Sequence, residues 1–409
     1  MKKRLPLLAL CLILIASMLV SCGETLVDQS KDYINNNDLL AQEPEVTLNL
    51  YIPCEVEIDD SALIAMQKEF NTVTEAKYKT RIAFHMVPMA EYKQAVLAQA
   101  AVGLENKDEE LDMSPSSVND TYPKENEIQF DMFVALDQTM VSQMITAGYI
   151  ANLTPYLGNT SSGTVSYNRL LSDQTKETSI PICIYDNVTV SMPGTAEDGS
   201  ATTLENQYVG IPANFLLGKY TYYVIDKQVA DRYYFSQDES NTTRVDDLKE
   251  EMKDALGDAA GISLFNSTVQ EVQGDYRLRY TYDESEYYVC VKENPTGYAS
   301  DLFRGMFCIS SACRYQDRAI QVLTELFTNT KLHTTLQYGA ENVTYKLKTT
   351  TVEGATYTYV ELMDGAPAYR VNNRYTGNLA NLYPCPALNY DDQFAHYLYL
   401  QNRDATITH

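Results

Sequence analysis

Catalysis and metal binding need carboxylates, thiols, imidazoles or hydroxyls at set spacings, and this chain is rich in the first and poor in the arrangements. It carries 55 Asp and Glu against four His and eight Cys. The histidines at 85, 333, 396 and 409 are scattered and no two cysteines form a Cys-x-x-Cys pair, so no zinc site is readable. No G-x-S-x-G elbow, S-x-x-K, H-E-x-x-H or G-x-x-x-x-G-K-[ST] run occurs, which removes the readily recognised hydrolase, zinc-protease and nucleotide-binding mechanisms. Among so many carboxylates a pair spaced for glycoside cleavage can always be found, so such a pair carries no information. The expectation is a binding protein that is not an enzyme, with no cofactor and no metal. What the chain offers for binding is aromatic: 32 Tyr and no Trp. Sugars are held by stacking their apolar faces on rings and by fixing their hydroxyls with carboxylates, amides and arginine.

The whole chain has 409 residues, 45% hydrophobic and 21% charged, with a formal net charge of -24. These proportions fit a folded protein of two or three domains. A surface this acidic repels phosphate backbones, so no nucleic acid is expected as a partner.

Residues 1 to 22 read MKKRLPLLALCLILIASMLVSC. A basic start, an apolar run over 5–20 containing Pro6, and Leu19-Val20-Ser21-Cys22 describe a secretory signal rather than a span, which needs about 20 apolar residues. The last four residues match the lipobox of bacterial lipoproteins. By that resemblance 1–21 is a cleaved signal peptide, and Cys22 carries a diacylglyceryl group, with acyl chains such as palmitate, that holds the protein on the outer face of the cell membrane. The polar stretch 22–44 would be the tether. Cysteines 54, 183, 290, 308, 313 and 385 are expected to be isolated thiols rather than disulfides.

The rest of the chain alternates strand and helix patterns. Val46, Leu48, Leu50 and Ile52 have the period of a strand, which Pro53 should end. Asp59, Asp60 and Ser61 precede a helical stripe of Leu63, Met66, Phe70 and Val73. A strand over 81–87, a helix over 91–102, an acidic loop over 104–129, a buried strand over 131–136 and a helix stopped at Gly148 follow. Beyond Pro155 the chain meanders through stretches rich in Gly, Ser and Thr at 158–164 and 194–203. Strands are expected at 220–225, 277–282, 287–292, 306–309, 343–347 and 357–362, and helices at 227–233, 246–256 and 316–327. Alternation of this kind implies a parallel sheet with helices on both faces.

Four segments in this order resemble the extracellular solute-binding proteins of ABC importers, in the carbohydrate branch. They are VTLNLYIPCEVEIDDSALIAMQKEFNTVTEAKYKTRIAFHMVP, FDMFVALDQTMVSQMITAGYIANLTPYL, YVGIPANFLLGKYTYYVIDKQVADRY and GMFCISSACRYQDRAIQVLTELFTNTKLHTTLQYG. The resemblance implies an α/β fold of two lobes, periplasmic-binding-protein-like and of type II, that closes on a ligand by hinge bending. Residues 45–213 would open lobe 1, 214–302 hold the first crossing and the first part of lobe 2, 303–342 return to lobe 1, and 343–409 belong to lobe 2. Only about 80 residues lie between crossings near 214–220 and 302–306. A reduced second lobe or a fragment is therefore expected.

The implied partners are a small solute, an oligosaccharide by the branch resembled, and the permease subunits of an importer. The alternative is a surface lipoprotein of the same fold that does not transport and instead adheres, senses or scaffolds. Ligand contacts are expected near the crossings from Asn214, Tyr220, Tyr222 and Arg304, and from Asp137 and Gln138 after the strand at 131–136. Asp137 reads equally well as a helix N-cap. Glu55 and Glu57 read as solvated loop carboxylates.

Overall fold

Val46–Cys54 (β1) is buried along nearly all its length, as a central parallel strand must be. It runs through Pro53, contrary to expectation, and pairs there with Val87. The reason is local: the strand on its other side reaches only Leu50 and Tyr51, so no third strand competes for the missing N–H. The structure, a computed structural model, describes residues 44–109, 128–158, 167–173, 175–196, 198–235, 243–352, 355–388 and 391–409. The signal segment, Cys22, the tether to residue 43 and most of the acidic stretch 104–129 lie outside the described residues.

Helix Asp60–Tyr78 (α1) starts where Asp59 accepts from the Ser61 N–H at 2.8 Å, and ends at Lys79 in the left-handed region. Its buried face carries Ala62, Met66, Phe70 and Thr74 at helical spacing. The same face holds two amides that cover the free edge of strand Thr80–Pro88 (β2). Asn71 exchanges bonds of 2.8 and 3.0 Å with the Ile82 backbone, and Gln67 Oε1 accepts from Phe84 N–H at 3.0 Å. Helix Met89–Glu105 (α2) sends Tyr92, fully buried, between β1 and strand Met132–Val134 (β3). Its hydroxyl lies 2.9 Å from the Tyr51 carbonyl and 2.8 Å from that of Val134.

Helix Gln138–Thr146 (α3) is followed by a hairpin, Val190–Thr195 (β4) with Ala201–Gln207 (β5), in the stretch read as a meander. Gly210–Ile211 (β6) leads to Tyr220–Asp226 (β7), helices Thr243–Leu256 (α4) and Asp258–Thr268 (α5), and strands Val269–Gly274 (β8) and Tyr287–Glu293 (β9). Thr296–Tyr298 (β10) and Phe307–Ile309 (β11) return the chain to helices Gln316–Thr328 (α6) and Thr330–Tyr338 (α7). Then come Tyr345–Val352 (β12), Ala355–Leu362 (β13), helix Phe394–Asp404 (α8) and Thr406–Thr408 (β14).

The main sheet has the order β2-β1-β3-β11-β6. Strand β1 is parallel to β2 and β3, whereas β11 is antiparallel to both β3 and β6. The C-terminal ends of β1, β3 and β6 and the start of β11 therefore share one edge. A second sheet, β8-β7-β9, is antiparallel throughout. Each has its own hydrophobic cluster. The first runs from Leu48 to Leu398; the second contains Ile225, Ala230, Phe235, Val245, Leu248, Met252, Val269 and Cys290. The fold is therefore α/β, with one body on the five-stranded sheet and its large cluster and a small second lobe on the three-stranded sheet.

Two expectations are corrected. Residues 276–280 form a 3-10 helix and not a strand, because Asp275 accepts from the Arg277 N–H at 3.0 Å and turns the chain there. The segment 343–409 does not build the core of lobe 2. Val371, Tyr375, Leu379, Ala380, Phe394 and Leu398 join the first cluster, and hairpin β12–β13 packs with Tyr338 and Cys385 as a third. Beyond the hairpin, the segment ties to α7 through Gln337 Nε2 donating to the Val371 carbonyl at 3.1 Å and the Tyr369 hydroxyl donating to the Leu336 carbonyl at 2.8 Å. The six cysteines in the described residues are free thiols.

Candidate functional site

Crossovers in an open α/β sheet leave a crevice at the carboxyl ends of the strands, and here that edge gathers charged groups. Glu55 follows β1, Asp137 follows β3, and Arg304 and Gly305 precede β11. A loop of the C-terminal segment, Asn372 to Thr376, lies across the same edge. Gly305 makes this possible. Its N–H donates to the Ala135 carbonyl at 2.8 Å, its φ is +80°, and a Cβ on it would collide with the Arg374 carbonyl oxygen. The loop is pinned on one side by Glu55, which accepts from Asn372 Nδ2 at 2.5 Å.

Arg374 stands over the Phe215 ring, its guanidinium carbon 4.6 Å from the centroid. Burial, then the neighbouring Arg304 charge, pull its pKa below the usual arginine value, while Asp301 acts the other way. Tyr375 is buried, and burial raises its phenol. Arg304 and Arg374 oppose that rise, whereas Glu55 and Asp137 add to it. One tyrosine thus feels two guanidiniums and two carboxylates from four separate elements.

Arg374 is also on the rim of a cleft of about 1170 Å³ whose other walls come from the second lobe and α8. Tyr280 and Tyr397 line it, stacked at 5.8 Å and 28°, and Tyr276 stacks on Tyr397 at 5.8 Å and 27°. Tyr280 is 56% exposed, so its ring is presented to a ligand. The Arg279 guanidinium lies 5.2 Å from the Tyr276 centroid and 5.6 Å from that of Tyr280, holding both rings in place. Arg277, paired with Asp275 at 2.8 Å, Gln273, Asn294 and Gln401 supply polar groups along the wall. Rings flanked by amides and ion pairs are what sugar hydroxyls and sugar faces require. A cleft of this volume exceeds what a monosaccharide fills.

The residues expected at the crossings divide into two groups. Asn214 is fully buried and its side chain is consumed by internal hydrogen bonds. Its Nδ2 donates to Asn378 Oδ1 at 2.9 Å and to the Ser179 carbonyl at 3.3 Å, while its Oδ1 accepts from Asn402 Nδ2 at 2.9 Å. Tyr220 and Tyr222 are buried too, stacked on each other at 5.3 Å, with the Tyr220 hydroxyl donating to Asp404 at 2.9 Å. They form the row behind Tyr276 and do not line the cleft. Alternation along β7 turns the pair inward, which the sequence-based expectation left out. Asp137 caps α3, accepting from the Met140 N–H at 2.7 Å, and remains half-buried at the sheet edge; Gln138 beside it is exposed. Arg304 is half-buried next to Arg374.

Sequence reasoning missed Arg374, Phe215, Tyr276, Tyr280 and Tyr397. The spacing Tyr276-Arg-Leu-Arg-Tyr280 after the capping Asp275 was an available signal for the first wall. Nothing local marks Arg374, whose position depends on a loop folding back over Gly305.

No family model and no curated protein matches the sequence. Among solved structures the chain is similar to the N-glycan transport solute-binding protein of Streptococcus pneumoniae. In its complex with Man1GlcNAc that protein matches with 14% identity, covering 88% of this chain and 84% of the other at a TM-score of 0.48. The complex with Man5GlcNAc gives 13%, 88%, 83% and 0.47 in the same order. An ABC substrate-binding protein of Listeria monocytogenes bound to cycloalternan is 10% identical over 90% of this chain and 89% of that one, with a TM-score of 0.33.

Proposed function

We propose that this protein is an extracellular solute receptor that captures an oligosaccharide between its two lobes and presents it to the permease of an ABC importer. The carrying observation is the cleft itself. A wall of Tyr280 and Tyr397, backed by Tyr276, shares the cleft with Arg374, which stands beside the charged groups at the carboxyl edge of the main sheet. Binding consists of ring stacking from lobe 2 and α8 and of hydrogen bonds and charge from the hinge, followed by closure. In this reading the lipobox cysteine Cys22 carries the lipid that keeps the receptor at the outer face of the cell membrane, and no bond in the solute is broken.

Titration calorimetry of the mature protein against neutral and acidic oligosaccharides, peptides and polyamines tests it. A saccharide should bind, and Tyr280→Ala should weaken it by about three- to tenfold, the worth of one aromatic stack. If every small solute fails to bind, the receptor reading falls. A surface lipoprotein that does not transport, acting in adhesion, sensing or scaffolding, would then be favoured, and the small second lobe already suits that role.

A further inference from the structure

The charges around the cleft are not those of the molecule as a whole. The chain carries 55 acidic against 31 basic residues, yet the cleft wall carries Lys219, Arg277 and Arg374 against Asp275, Glu293 and Asp391. Among these, Arg277 is satisfied by Asp275 at 2.8 Å. Among the described residues Arg374 and Lys219 have no carboxylate within 4.0 Å, and neither does Arg304, whose neighbour Gly305 lies against the Arg374 carbonyl. Of the cleft acids, Glu293 accepts from Thr221 Oγ1 at 3.3 Å and Asp391 from the Gln393 N–H at 3.1 Å, and neither pairs with Arg374 or Lys219. Glu55 accepts from Asn372, Asp137 caps α3, and Asp301 acts on Arg374 without pairing with it.

Two guanidiniums close enough to repel each other, one half-buried over an aromatic ring, cost free energy in the empty protein. A strongly acidic chain had many carboxylates with which to neutralise them and did not. An anionic ligand group at Arg374 offsets the repulsion and forms charge-assisted hydrogen bonds, for which the planar guanidinium is suited to carboxylate, sulfate or phosphate oxygens. We infer that the cleft selects an acidic saccharide, with its anionic group held by Arg374, the Arg304 charge adding to the attraction from behind, and its rings stacked on Tyr280 and Tyr397. This rests on the receptor reading above and adds the ligand's charge. A purely neutral glycan would leave the Arg374 guanidinium desolvated and without a carboxylate partner on closure, which makes neutral sugars the poorer ligands.

The test is calorimetry with matched pairs in which one member has its anionic group masked or removed. Digalacturonate is compared with its dimethyl ester, and lactose 3′-sulfate with lactose, so that the two arms separate carboxylate from sulfate recognition. The expected result is that at least one acidic member binds about tenfold or more tightly than its neutral partner. That ratio should collapse towards one in Arg374→Gln and Arg304→Gln and be kept in larger part by Arg374→Lys. Thermal unfolding of each variant confirms that it is folded, and two separate positions guard against either one failing to fold. Neutral members binding as tightly as acidic ones, or a ratio indifferent to both substitutions, overturns the inference and leaves the receptor standing. Absence of binding by all four probes and by the wider panel overturns both.

Discussion

Asn402 shows how a single side chain ties helix α8 to the chain at 214–217. It is fully buried, its Nδ2 donating to Asn214 Oδ1 at 2.9 Å and to the Phe215 carbonyl at 2.8 Å, and its Oδ1 accepting from the Leu217 N–H at 2.9 Å. Asn402→Ala strands these partners in a dry site, at about 1–3 kcal/mol for each group left unsatisfied. A loss of about 2–4 kcal/mol in urea unfolding is expected; a loss under about 0.5 kcal/mol would mean that water takes over the network. Two buried titratable groups give a second prediction. Burial pushes Asp131 up to about 7, although it accepts from Asn49 N–H and Gln129, and burial drives His333 down to about 3. Folded Asp131 keeps a proton that the unfolded chain has released above about pH 4, so its contribution falls as pH rises towards 7. Unfolded His333 takes up a proton below about pH 6.5 that the folded protein refuses, so its contribution falls as pH drops. Between about pH 4 and 6.5 the two slopes oppose each other. Asp131→Asn should therefore make stability rise with pH across that window, and His333→Gln should make it fall, each by up to about 1.4 kcal/mol per pH unit. Urea midpoints at three pH values decide it, and variants that keep the parent slope would refute the assignment.

At the scale of elements, the loop from 372 to 376 reaches the sheet edge only because Gly305 tolerates it. Gly305→Ala places a Cβ where the Arg374 carbonyl oxygen sits, at a φ that L-residues avoid. It is expected to cost more than about 2 kcal/mol and to weaken saccharide binding together with stability. A variant with unaltered melting and affinity would show that the loop is not seated there. The same loop explains what could be read in advance and what could not. Strand β1, helix α1 and strand β2 were legible because burial on one stripe or on alternate residues writes itself into the sequence as a period. Helix α5, over 258–268, has small and polar residues on a short segment and no clear stripe, so it escaped notice. The 3-10 turn at 276–280 looks extended by composition and becomes helical through one capping carboxylate. Arg304 and Asp137 could be placed at the sheet edge because they precede or follow strands. Arg374 and Tyr397 come from a distant segment, and their juxtaposition with Tyr280 is tertiary information that no local pattern holds.

The two lobes differ in how much apolar surface each buries, and this shapes the behaviour of the whole molecule. The second cluster has eight buried residues around a three-stranded sheet in which both β8 and β9 are edges. The first cluster extends through β1, β3, β11, α6 and the C-terminal segment. Opening of the second lobe should therefore require less free energy than global unfolding. Helix α8 links the two through Tyr397, which stacks on Tyr276 and Tyr280, while its Phe394 and Leu398 belong to the first cluster. A saccharide lodged against Tyr280 and Arg374 binds only when both lobes are formed. At a ligand concentration one hundred times Kd, every opening that destroys the site becomes costlier by about 2.7 kcal/mol, a slowing of about one hundredfold. Hydrogen exchange followed by mass spectrometry should thus show β7, β8 and β9 exchanging faster than β1 and β3 in the free protein, and ligand should slow the second lobe most. Equal protection in the two lobes without ligand, or a ligand effect confined to the first, would mean that the lobes open together or that the saccharide is gripped from one side alone.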